Sequence, residues 1–125
     1  MRTPQQTLTQ QELAIMKVVW RLERATVREV YEALLESRQI AYTTVMTMMG
    51  ILEKKGYLKK ELVDRAHVFT PVKKRQQVVG AMVRDFVERV FDGASDRLLL
   101  ALAKDNQLTA RQKRIVKQLI EETEE

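Results

Sequence analysis

Residues 41–58 read AYTTVMTMMGILEKKGYL, and this stretch decides the fold. Val45, Met48, Met49 and Leu52 recur at the i, i+3, i+4, i+7 spacing of a helix that turns one face to a core. At 100° per residue the opposite face centres on Thr43, Thr47, Gly50 and Lys54, flanked by Met46 and Thr44. A helix exposed only for solubility carries Glu and Lys on that side. Here the outer face is small and nearly uncharged until its last turn, so it is suited to close contact. Lys54, Lys55 and Gly56 end the helix: the cations complement the C-terminal dipole and Gly supplies a left-handed cap.

Working outward from that helix, the N-terminal side supplies two more. Residues 1–8 are polar, contain Pro4 and read as a flexible lead-in. Thr9-Gln-Gln-Glu12 is a capping box, and the helix it opens carries Leu13, Met16 and Trp20 beside Ile15, Val19 and Leu22. Trp20 reads as a core anchor. Ala25-Thr26 reads as a short extended link, and Thr26-Val-Arg-Glu29 as a second capping box. The next helix points Val27, Val30, Tyr31, Leu34 and Leu35 inward. Arg28 falls in its first turn, where the dipole disfavours a cation. A solvated Arg and a phosphate contact beside free helix amides are both open readings.

On the C-terminal side, Tyr57–Leu62 reads as a strand, Val63–Ala66 as a reversal and His67–Thr70 as the returning strand, stopped by Pro71. Three short helices followed by a hairpin are the order of a winged helix-turn-helix. Beyond Pro71, a long helix has Val78, Val79, Met82, Phe86, Val90 and Phe91 inward and ends at Asp92-Gly93. Ser95 is a candidate cap for a helix whose run Leu98–Ala103 is apolar nearly all round. Thr109-Ala-Arg-Gln112 opens a last helix with Ile115, Val116, Leu119 and Ile120, and the closing EETEE reads as solvated. So few residues cannot bury that leucine run alone, whereas a second copy can. The expected organisation is a DNA-binding domain over residues 1–71 and a three-helix dimerisation region over residues 72–125. The fold class is mainly α with a small β-hairpin. The expected dimer interface is Val79, Met82, Phe86, Val90, Leu98, Leu99 and Leu102.

Composition narrows the chemistry. The chain has 125 residues, 31% charged and 45% hydrophobic, with a net charge of +5 and a pI near 9.6. That balance is a soluble one and leans towards polyanionic partners. With no Cys, disulfides, thiolate metal sites and Cys nucleophiles are excluded. No apolar run approaches the ~18 residues of a membrane span, and the first residues carry no hydrophobic signal core. Membrane insertion is not expected and the expected location is cytoplasmic. His67 is the single histidine, and neither HExxH, GxGxxG nor a P-loop occurs. No catalytic residue, metal or cofactor is expected, and His67 reads as a wing residue.

Double-stranded DNA, by contrast, has a full set of contacts. The helix at 43–55 would enter the major groove with its N-terminal half. Thr43, Thr44, Met46 and Thr47 would face base edges there. None is the Arg, Asn or Gln that reads a purine bidentately. Thr and Met methyls can pack on thymine methyls, which points to T·A pairs under the helix. Arg28, Tyr42, Lys54, Lys55, Arg65 and His67 are the expected phosphate contacts, giving salt-dependent affinity. Gly50 costs about 1 kcal/mol in a helix interior relative to Ala, which a close approach to DNA or to another helix would explain.

Taken together, Leu13-Ala-Ile-Met-Lys-Val-Val-Trp20, Thr26-Val-Arg-Glu-Val30, Ala41-Tyr-Thr-Thr-Val45, Leu52-Glu-Lys-Lys-Gly-Tyr-Leu58, Asp64-Arg-Ala-His67 and Thr70-Pro71 resemble the BlaI/MecI family of penicillinase and methicillin-resistance repressors. The resemblance runs over about residues 8–120. It implies a homodimeric repressor on a palindromic operator with TACA/TGTA-like half-sites, read by Thr43, Thr44 and Thr47. It also implies a membrane sensor-protease pathway that responds to β-lactams, with cleavage in the second C-terminal helix. Alignment of the leucine run puts that bond between Ala101 and Leu102, where the best-known members have Asn-Phe. Copper-responsive members carry a C-terminal Cys cluster, so that sensing mode is excluded here.

Overall fold

The computed structural model describes residues 8–105 and 107–123. Six helices and one hairpin follow in order: α1 (Gln10–Leu22), α2 (Val27–Leu35), α3 (Tyr42–Lys54), β1 (Leu58–Val63), β2 (Ala66–Pro71), α4 (Arg75–Phe91), α5 (Ser95–Lys104) and α6 (Ala110–Thr123). The mainly helical fold with a small hairpin matches the sequence reading. The expected lead-in lies outside the described residues except for Leu8, which is buried rather than flexible. Residues 124 and 125 of the closing acidic run also lie outside them, as do the side chains of Leu119 and Ile120.

Local chemistry sets the helix ends. At α1 the Thr9 N–H donates to Glu12 Oε1 (2.8 Å) and the Glu12 N–H donates to Thr9 Oγ1 (3.1 Å). The same reciprocal pair forms between Thr26 and Glu29 at α2 and between Thr109 and Gln112 at α6. Each box satisfies two otherwise orphaned amides. Ser95 is not a cap: Ala94 occupies that position without a side-chain bond and Ser95 is the first helical residue. At the end of α3, Gly56 has φ +88°. Its N–H donates to Glu53 O (3.0 Å), and the Tyr57 N–H donates to Leu52 O (2.9 Å). This is the Schellman closure that a left-handed Gly permits.

The hairpin is antiparallel, with Leu58 opposite Pro71 and Val63 opposite Ala66. Asp64 (φ 49°) and Arg65 (φ 70°) make its reversal, so both central residues are left-handed, as in a type I′ turn. The Ala25 link is more than a connector. Its N–H donates to Phe69 O (2.9 Å) and its C=O accepts from the Phe69 N–H (2.8 Å). A one-residue third strand thus ties the α1–α2 junction to the wing.

The chain divides into two compact units, the first ending at Gly80 and the second beginning at Ala81. Within the first unit the chain beyond Pro71 is bonded to the elements before it. The Trp20 indole N–H donates to Lys73 O (3.0 Å), the Val72 N–H to Tyr57 O (2.9 Å), and Val78 is buried. In the first unit, Ile15, Met16, Val19, Val30, Val45, Met49, Leu52 and Leu58 are fully buried. Leu22 and Leu35, expected inward, are exposed, each at the last residue of its helix, where the core falls away.

In the second unit Val87 is the buried apolar side chain among the described residues, while Val83, Phe86, Val90, Leu100 and Ile115 are exposed. Leu98, Leu99 and Leu102 are half-buried, and α5 has no buried residue.

Candidate nucleic-acid interface

The face of α3 opposite the buried Val45, Met49 and Leu52 is the candidate interface. Thr43, Met46, Thr47 and Lys54 are exposed along it, and Thr44 is half-buried on its flank. Met48 is half-buried on the side of the core. The N-terminus of α3 differs from those of α1, α2 and α6. Its cap, Ala41, offers no side-chain bond, and, unlike α1 and α2, it has no acidic residue in its first turn. The first amides of α3 and the positive end of its dipole therefore face outward without a resident acceptor from a cap side chain.

Beside that end, α2 and α3 supply a cation on an aromatic platform. The Arg28 guanidinium lies 5.5 Å from the Tyr42 ring centroid, and Tyr42 meets Tyr31 edge-on at 5.5 Å. Arg28 is also 3.6 Å from Glu32, one turn on, with both side chains well exposed. Such a pair contributes little and leaves Arg28 available to a stronger anion. Of the two readings of Arg28, the aromatic platform favours the phosphate contact. The sequence reading missed Tyr31. It was expected to point inward and is half-buried, but contact with Tyr42, eleven positions on, depends on how α2 and α3 cross.

On the wing, Arg65 is exposed in the turn and His67 is exposed opposite Leu62. Gly would take the Arg65 backbone conformation at lower cost, so a side chain is kept there against a local penalty. Gly50 also has a surface-facing backbone. A Cβ built on it meets nothing within 4 Å, so packing within the chain does not explain the glycine.

Lys55 is paired within the chain. Its ammonium lies 3.0 Å from each carboxylate oxygen of Glu12, and only 21% of its side chain is exposed. The adjacent Lys54 points to solvent, because one step along a helix is a rotation of 100°. Removing one partner of a buried pair costs roughly 3–5 kcal/mol, so the pair is expensive to separate. Burial by itself would raise the Glu12 pKa. The Thr9 amide and the Lys55 ammonium outweigh it and hold the carboxyl below its ordinary value. Burial also raises the Tyr57 hydroxyl pKa.

A profile of the penicillinase repressor family matches residues 8–122. The chain belongs to the penicillinase repressor family. Its members are DNA-binding transcriptional repressors and not enzymes. Transcriptional regulator BlaI of Mycobacterium tuberculosis is 39% identical to it, over 74% of this chain and 80% of that protein. The DNA binding domain of the repressor BlaI, solved in solution, superposes with a TM-score of 0.52 at 31% identity, covering 60% of this chain and 90% of that one. Bacillus licheniformis BlaI, solved as a monomer in complex with the blaP half-operator, gives 0.50 at 30% identity, covering 56% and 85%. Among the described residues of this family member no helix is long and apolar enough to cross a membrane.

Proposed function

We propose that this chain is a cytoplasmic homodimeric repressor that reads a palindromic operator through the exposed face of α3. The observation that carries the reading is the N-terminal half of α3: uncharged, uncapped by any side chain, and flanked by Arg28 on Tyr42. Thr43, Met46 and Thr47, with Thr44 on the flank, contact base edges in the major groove. Thymine methyls under the Thr and Met methyls fit TACA/TGTA-like half-sites. Arg28, Tyr42, Lys54, Arg65 and His67 hold phosphates on either side. The relative solved on a half-operator supports DNA as the ligand.

Dimerisation uses Val79, Met82, Phe86, Val90, Leu98, Leu99 and Leu102. Support comes from the exposed or half-buried state of each of these side chains, an apolar face that a second copy would cover. A sensor-protease pathway would act on the Ala101–Leu102 bond. That bond lies within α5.

The test is a gel shift on the protein's own promoter over a range of salt. Three cations per protomer (Arg28, Lys54 and Arg65) give a slope of log affinity against log salt of about −5 for the dimer. Thr47→Ala should lower the preference for operator over random duplex about a hundredfold, the worth of two base contacts, one per protomer, and leave random-duplex binding intact. Binding without salt dependence, or equal loss on both duplexes, rejects this reading.

A further inference from the structure

Among the described residues, Glu12 is the one charged side chain that is buried. Glu12 lies 43 residues before its partner Lys55. Its carboxylate does two things at once: it completes the capping box of α1 through the Thr9 N–H, and it accepts from Lys55 through both oxygens. Lys55 is the C-cap residue of α3. The bond therefore joins the positive end of the α1 dipole, through a carboxylate and an ammonium, to the negative end of α3, and each charge also complements its own helix end.

This matters for α3 because its other anchors are Val45, Met49 and Leu52. Apolar contact is non-directional and fixes rotation and axial position poorly. A two-pronged, charge-assisted hydrogen bond is directional. The outward face needs that definition, since Thr and Met contacts have short reach and no long flexible readers stand beside them to compensate. Contact sets of this kind work only when held to about half an ångström.

We infer that Lys55 is a positioning residue: with Glu12 it sets the rotation and depth of α3 for base reading and does not touch the DNA backbone. The inference rests on the repressor reading above. It divides two adjacent lysines of one sequence, Lys54 as a phosphate contact and Lys55 as the clamp behind it.

The experiment uses the full chain, a short duplex enriched from a random pool by the wild-type protein, and a scrambled duplex. Lys55→Gln should weaken the enriched duplex about tenfold and barely affect the scrambled one, with the salt slope unchanged. Lys54→Gln should weaken both and flatten the slope by about 2 per dimer, one phosphate per protomer. Glu12→Gln should also lose discrimination, although removing a negative charge from a DNA-binding protein favours binding by long-range electrostatics. The double variant Glu12→Gln/Lys55→Gln lacks the same bond and should lose discrimination about as much as Lys55→Gln alone, since the two residues act as one unit. A Lys55→Gln slope that flattens as Lys54→Gln does, or a double variant that regains wild-type discrimination, overturns the inference. Circular dichroism checks folding; where Lys55→Gln alone does not fold, the double variant is read by itself on slope and discrimination. A wild-type chain that enriches no sequence and binds duplex without salt dependence sinks the repressor reading instead, a different result from either.

Discussion

The two units use their apolar residues in opposite ways. The unit ending at Gly80 closes Ile15, Met16, Val19, Val30, Val45, Met49, Leu52 and Leu58 completely away from water. It adds a buried ion pair and a Schellman closure. The unit beginning at Ala81 buries Val87 and leaves Phe86, Val90 and Leu100 at the surface. A domain that encloses its own core can fold by itself, while a helical segment with its leucines outward gains most of its hydrophobic free energy from what it meets. The lesson is that similar leucine-rich helical sequence builds a self-sufficient reader in one half and, on the proposal above, an association surface in the other.

The sharpest way to break that comparison is a pair of variants. Leu52→Ala opens a cavity in the closed core and should destabilise the first unit by about 2–5 kcal/mol in denaturant titration. Leu99→Asp alters a half-buried side chain of the second unit, so it should leave first-unit stability within about 0.5 kcal/mol. It should also convert dimer to monomer by sedimentation and weaken the operator about a hundredfold, because half-sites then bind without mutual linkage. An unchanged sedimentation coefficient would remove α5 from the interface.

A smaller effect sharpens the contrast through pH. Because the folded pKa of Glu12 is depressed, its contribution is present in full above the ordinary carboxylate value of about 4 and is lost as pH falls through the lower folded value. The first unit should therefore lose stability in that acid window, and Glu12→Gln should remove that part of the dependence. An identical acid limb in the variant assigns it to other carboxylates. The smallest effect is Gly50→Ala. With nothing within 4 Å of the added methyl, it should raise first-unit stability by up to about 1 kcal/mol. Weaker operator binding alongside that gain would show that the helix backbone approaches DNA closely at residue 50.

Much of this was legible in the chain because it is local. Thr9, Thr26 and Thr109 cap three residues ahead, Gly56 closes the helix just behind it, and the i, i+3, i+4 spacing of Val45, Met49 and Leu52 names the inward face without reference to anything distant. The winged order and the plain outer face of α3 followed from those signals. Leu22, Leu35 and Ser95 went astray at helix ends, where periodicity no longer says how far the core extends or which residue starts the turn. The pairings that complete the first unit left no such mark: Ala25 with Phe69, Trp20 with Lys73, and Glu12 with Lys55 each join residues more than forty positions apart. Sequence by itself determined that two lysines end the recognition helix. Only the tertiary structure decided that Lys54 faces solvent and Lys55 faces Glu12, because a 100° turn has meaning once the start of α1 stands on one side of it.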